Sequence, residues 1–283
     1  MSLQPDDVTS PSWLGKPIDV RPMFGAELAS LLDVLRGLRR DEWSRAAVPG
    51  WTVHDLAAHI LGDYHGRLGW STESHRRTKA AGETLEAFIH RVNQEWIELH
   101  ADHSPAELIE ALELAGTQVA RQFQGTDLGA MGLGVSWAGA DPAPKWLDTA
   151  REFTEYWTHR QQIRHATGQH TDLGPDALSA VLDTFMRALP HTLRHTPAPA
   201  GTQLQVVVDE PAVGTWAVTA TGDRWSLAEA PSGRPAATVR LDSETAWRLC
   251  TRGIDPGTAL ARARISGERE IAEAACQIVS IVY

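Results

Sequence analysis

The stretch His195-Thr-Pro-Ala-Pro-Ala-Gly201 separates two kinds of sequence pattern, and its reading decides the fold. Its composition is that of a linker, because proline fixes φ and withholds a backbone donor from helix and sheet alike. Upstream of it, apolar residues recur at the helical period; downstream they alternate with period two. The expected fold is therefore α plus α+β: an up-and-down helical bundle over residues 20–195, then a small α+β domain over 203–283.

Working upstream, residues 175–189 read as a helix started by Pro175 and stopped at Pro190. The preceding helix runs from near Trp146 to Gly168. Between Gly125 and Lys145, five glycines and two prolines predict a long loop, read as a lid or rim of a pocket, since the contexts that make a glycine loop bind phosphate are missing. A helix before it opens at Ser104-Pro105-Ala-Glu107, which supplies an N-cap, a proline at the first helical position and a capping-box glutamate. Its apolar face is Leu108, Leu112, Ala115, Val119 and Phe123. Earlier helices are expected from Thr84 to about His100, from Thr52 as N-cap to about Trp70, and over the stripe Leu28, Leu31, Leu32, Leu35 and Leu38. Residues 1 to about 20 are polar and are expected at the surface.

Downstream, Leu204–Val208, Thr215–Thr219, Trp225–Leu227 and Ala237–Leu241 read as strands, with turns at Val213-Gly214 and Gly222-Asp223. Helices are expected from Ser243 to about Thr251 and from Glu268 to about Ile281, with a last strand at Arg262–Ile265.

Composition excludes several functions. A net charge of -10 over 283 residues argues against a nucleic-acid surface or a broad anionic-membrane surface, which need clustered Lys and Arg. No apolar run of about eighteen residues is present, and the N-terminus lacks the pattern of a signal peptide, so a soluble cytoplasmic protein is expected. Cys250 and Cys276 lack metal or redox spacing and read as small buried residues. Lysine occurs only at positions 16, 79 and 145, the arginine-for-lysine bias expected of a GC-rich bacterial genome.

The residues that carry chemistry are Glu155-Tyr-Trp-Thr-His159 and Trp51-Thr-Val-His54-Asp55-Leu-Ala-Ala-His59. A rise of about 1.5 Å per residue puts Glu155 and His159 roughly 6 Å apart along one helix face, close enough to share an ion. His59 on another helix supplies a third ligand, and two histidines with one carboxylate leave an open position, as in catalytic metal sites. Glu152 is the rival carboxylate, at about 10 Å of axial separation from His159. Asp55 and Asp63 each flank His59 by four residues and are candidates to orient its ring or to serve as caps.

These two motifs, the second continuing as Arg160-Gln-Gln162-Ile-Arg164-His-Ala-Thr-Gly168, resemble the mycothiol-dependent maleylpyruvate isomerase family. The resemblance covers nearly the whole chain. It implies a DinB-like bundle followed by a sterol-carrier-like domain, and a divalent metal, commonly zinc, on His59, Glu155 and His159. It also implies a low-molecular-weight thiol, mycothiol in actinobacteria, at the open position. Many relatives carry aspartate where this chain has Gln162, a departure that either weakens the orientation of the site or marks a subgroup with a different substrate.

On this reading the chemistry is isomerisation, or thiol transfer, on a small electrophilic acid. Arg67, Arg164 and Arg264 are candidates to hold its carboxylates, because guanidinium binds carboxylate bidentately. The alternative is a non-catalytic metal- or ligand-binding protein, regulatory or stress-responsive, on the same scaffold. The sequence leaves the oligomeric state open.

Overall fold

The computed structural model describes residues 11–70, 78–212, 214–227 and 233–281. Residues 1–10, His75 and the turn position Val213 thus lie outside the described residues. Packing divides the chain into two compact units, one of Val20–Thr126 with Glu155–Asp172, the other of Asp127–Thr154 with Leu173–Val282 and the segment ending at Asp19.

The first unit is helical. Helix α1 (Phe24–Arg36) buries Leu28, Leu31, Leu32 and Leu35 as expected, while Leu38 falls beyond its end. A small hairpin follows, β1 (Ala46–Val48) and β2 (Trp51–Thr52), turning at Pro49-Gly50 with Gly50 at φ 84°. Strands this short carry no alternation to read in the sequence.

Helix α2 (Val53–Leu68) starts at a capping box: Asp55 N donates to Thr52 Oγ1 and Thr52 N donates to Asp55 Oδ2. Helix α3 (Leu85–Leu99) buries only part of its apolar side. It buries Trp96 and Ile97, while Leu85 and Leu99 are exposed. Trp96 anchors it by donating Nε1–H to Ala58 O at 2.8 Å and by filling the space that a side chain at Gly62 would occupy. Helix α4 (Pro105–Gln124) buries its whole expected face and packs on α1 and α2. Helix α5 (Lys145–Ala166) contributes its C-terminal half, from Glu155, to this unit.

In the second unit the described residues before Val20 are not a loose surface strand. Leu14 is fully buried, and Arg187 Nη1 donates to its carbonyl. The glycine-rich segment is built as an irregular hairpin, with antiparallel bridges Met131–Pro144 and Val135–Ala140. Its glycines serve close approach: a Cβ at Gly132 would stand 2.7 Å from Asp148 Oδ2 on α5. Helix α6 (Pro175–Phe185) ends earlier than expected, and Pro190 opens rather than blocks a short helix, α7 (Leu189–Thr192). Proline at a first helical turn gives up a donor that has no partner anyway.

Five strands make a sheet of order β5-β4-β3-β6-β7, namely β3 (Gln203–Val208), β4 (Gly214–Ala220), β5 (Trp225–Leu227), β6 (Ala237–Leu241) and β7 (Arg264–Gly267). β3 and β6 pair in parallel and the other pairs are antiparallel. Helices α8 (Ser243–Cys250), α9 (Pro256–Arg262) and α10 (Arg269–Ala275) complete it. α9 was not expected, although Asp255-Pro256 repeats the cap-and-proline signal of Ser104-Pro105, and it displaces β7 toward Gly267. α10 stops short because the chain beyond it is tied elsewhere: Ser280 N donates to Cys250 O, and Ser280 Oγ donates to Phe185 O. Both cysteines are buried, and burial pushes their thiols up to about 12 for Cys250 and about 11 for Cys276.

Candidate functional site

Helices α2 and α5 bring His59 and His159 together within the helical unit. The imidazoles meet edge to face, with ring centroids 4.9 Å apart and planes at 85°. His59 also meets Trp51, whose ring centroid is 5.0 Å away and whose indole N–H is donated to Gln94 Oε1. The helical i, i+4 spacing delivers Glu155 as expected, with Oε2 3.7 Å from His159 Nε2.

His159 has its two nitrogens in different states. Nδ1–H donates to Gln162 Oε1 at 2.8 Å, which assigns the ring proton to Nδ1 and a lone pair to Nε2. Nε2 is buried and makes no hydrogen bond among the described residues. Burial holds the His159 pKa below the usual histidine range, partly offset by the Gln162 bond, so the ring is neutral at pH 7. Gln162 thus performs the orienting task for which the sequence had left only a question.

Two imidazoles and a carboxylate, with one imidazole lone pair buried and unbonded, make a donor set suited to a divalent ion. The three side chains are adjacent without being converged. Among the described residues, no three His, Cys, Asp or Glu side chains stand in a metal-binding arrangement.

The other candidates have different occupations. Asp55 is committed to the cap of α2 and does not orient His59. Asp63 lies one turn beyond His59; burial pushes the neighbouring Tyr64 phenol up, and the charges of Glu27 and Asp63 add to it. Glu152 is buried in the second unit, where its Oε1 accepts from Arg151 Nη2 at 2.8 Å. Arg67, on α2, is half-buried. Arg164 donates Nε–H to His170 O at 2.8 Å, closing the end of α5. Arg264 is on β7 in the second unit, 79% exposed and paired with Asp209.

Several of the remaining histidines work within the fold. His54 donates Nε2–H to His103 O, His100 donates Nδ1–H to Trp96 O, and His165 Nε2 bonds Thr171 Oγ1.

Spacing alone did not reveal the buried charge next to the site. Arg160 directs Nε and Nη2 to Glu27 at 2.6 and 2.9 Å and Nη1 to Asp172 at 2.8 Å. Burial raises the Glu27 pKa, against the lowering effect of the Arg160 bonds. The available signal was a glutamate at position 27 inside the apolar stripe of α1, a place where a carboxylate needs a partner.

Residues 24–164 match the family model described as mycothiol maleylpyruvate isomerase N-terminal domain. Among solved structures, the chain is similar to a histidine-to-alanine mutant of mycothiol-dependent maleylpyruvate isomerase, at 17% identity and TM-score 0.53 over 91% of this chain and 97% of that one. The crystal structure of mycothiol-dependent maleylpyruvate isomerase itself gives the same identity and coverage with a TM-score of 0.47. Sterol Carrier Protein 2 Like 2 from Aedes aegypti covers 37% of this chain and 91% of its own, at 14% identity and TM-score 0.24. No curated protein sequence matches the chain.

Proposed function

Because the chain belongs, through residues 24–164, to the mycothiol maleylpyruvate isomerase N-terminal domain family, we propose that it is a metal- and thiol-dependent enzyme acting on a small electrophilic acid. In this reading His59, Glu155 and His159 hold one divalent ion, with zinc the first candidate and mycothiol the first candidate thiol. When bound, the ion supplies the Lewis acidity that keeps a thiol ionised at neutral pH, and the thiol supplies a nucleophile for reversible addition to an electron-poor double bond. Addition, rotation about the bond that has become single, and loss of the thiolate gives cis–trans isomerisation; addition followed by protonation of the resulting carbanion gives a thioether, the product of thiol transfer.

The chain's own residues have definable parts. Gln162 fixes the His159 tautomer and aims Nε2, Trp51 packs against His59, and the neutral state of His159 keeps its lone pair available. Arg67, Arg164 and Arg264 remain the proposed carboxylate-binding residues. The domain division at 20–195 and 203–283 and a cytoplasmic location belong to the same proposal; among the described residues no helix is long and apolar enough to cross a membrane.

The observation that carries the proposal is the buried, unbonded Nε2 of His159 beside His59 and Glu155. Purified protein is expected to bind close to one equivalent of divalent metal. His59→Ala and His159→Ala should each abolish that binding while His54→Ala leaves it intact, read by elemental analysis. Metal-loaded protein with mycothiol and a panel of unsaturated acids should then give turnover or an adduct.

A second reading, a non-catalytic metal- or ligand-binding regulatory or stress-response protein, draws on the unconverged arrangement of the three ligands. Metal binding without turnover or adduct across that panel selects it.

A further inference from the structure

A basic cleft lies in the second unit, far along the sequence from the histidine pair. Two adjoining hollows, of about 170 and 180 Å³, share the walls Arg194, Asp223, Arg224 and Trp225. In a chain of net charge -10, this surface gathers two arginines and two histidines, His191 and His195, against one carboxylate.

Both guanidinium groups are held in place while keeping donors to spare. Arg194 follows α7, and its Nη1 donates to His191 O at 2.6 Å. Arg224, in the β4–β5 turn, lies over the Trp13 ring at 5.1 Å and directs Nε toward Asp223 at 3.4 Å. The remaining nitrogens of both groups make no hydrogen bond among the described residues. Trp225 forms a buried wall and is fixed by donating its indole N–H to Thr196 O at 2.9 Å.

Gly139 lets its loop approach the wall residue His191 closely. Its φ of +69° is a left-handed conformation, and a Cβ there would stand 2.5 Å from His191 Nδ1. Burial and then the charges of Arg194 and His195 hold the His191 pKa down, so its ring is a neutral member of the cleft wall. Two restrained guanidinium groups beside flat aromatic walls recognise a small molecule with an oxyanion group and an unsaturated or ring-shaped body.

We propose that this cleft is a second small-molecule site, binding an oxyanion, carboxylate or phosphate, through Arg194 and Arg224 with the body of the ligand against Trp13 and Trp225. The proposal does not rest on the histidine pair. None of the cleft residues belongs to the proposed metal centre, and the two arginines are exposed, so replacing them leaves the core untouched.

Isothermal titration of the full chain separates the possibilities, using inorganic phosphate in one arm and benzoate in the other, with acetate as the carboxylate lacking a flat body. Benzoate should bind with a stoichiometry near one and more tightly than acetate, and Arg194→Ala and Arg224→Ala should each weaken it by about tenfold. Phosphate binding as tight as that of benzoate identifies the ligand as a phosphate and removes the aromatic walls from the proposal. His59→Ala should change neither titration. No heat from any of the three anions at millimolar concentration, or binding unaltered in the Arg194→Ala/Arg224→Ala double variant, overturns the site.

Discussion

The two halves of α5 differ in how their acids and histidines are partnered, while both bury some other polar atoms without a hydrogen bond, Thr149 Oγ1 and Arg151 Nε upstream among them. From Lys145 to Thr154 each acid has cationic partners: Asp148 accepts from Lys145 Nζ and Arg151 Nη2, both at 2.9 Å, and Glu152 accepts from Arg151. From Glu155 onward the helix keeps one such arrangement, Arg160 with Glu27 and Asp172. One residue before it, a histidine nitrogen is buried without a hydrogen bond. The difference teaches how to separate structure from chemistry on one helix. Saturated buried charge holds a fold together, whereas an unsatisfied buried lone pair costs stability and persists where a ligand repays it.

The sharpest way to break this comparison is to attack the saturated pair in the downstream half. Glu27→Ala leaves Arg160, itself only 3% exposed, with Asp172 alone, and should lower stability by about 3–5 kcal/mol in chemical denaturation. A loss below about 1 kcal/mol would put Arg160 outside the class of structural charges. Next in size, Asp148→Asn removes the charge that Lys145 and Arg151 share and should cost about 2–3 kcal/mol, without altering metal content. A drop in metal content would erase the distinction between the halves.

Gln162→Ala tests the opposite property. It should leave the fold intact and weaken metal binding roughly tenfold to a hundredfold in a competition titration, as loss of a ligand-orienting partner does. Restoration by Gln162→Asp separates orientation from bulk.

The smallest effect is in the pH dependence of the metal-free protein. The folded-state pKa of His159 lies below its ordinary value of 6.5. Below that pH the unfolded chain takes up a proton that the folded chain resists. The stability is therefore fully present above about pH 6.5 and declines as pH falls below it. His159→Gln should flatten that decline in denaturation measured across the acid range; an unchanged slope would show that the ring is solvated.

What was legible in the sequence was whatever depends on neighbours three or four residues apart. The caps at Thr52 and Ser104, the buried face of α4 and the pairing of Glu155 with His159 are local consequences of helical geometry. The period-two strands after Gly201 were legible for the same reason. What escaped depends on distant partners. The exposed ends of α3 follow from Trp96 seating itself at Gly62, and the partners of Arg160 come from residues 27 and 172. Gln162 was visible as a departure from a family pattern, but an amide can orient an imidazole as a carboxylate does, and only the geometry shows that it does so. Nothing in the spacing marked Arg194 and Arg224, which the fold brings to one cleft from opposite sides of the linker.

The capping boxes of α2 and α4 bear also on the order in which the molecule assembles. Each closes a ring between residues three apart, so each helps a helix nucleate before any distant contact exists, and the two helices then pack on each other. The parallel pairing of Leu204 with Ala237 must instead wait for the intervening hairpin strand and turn to be in place, because loop closure precedes the gain from pairing. The capped helices thus have a local start that the parallel pair β3–β6 lacks.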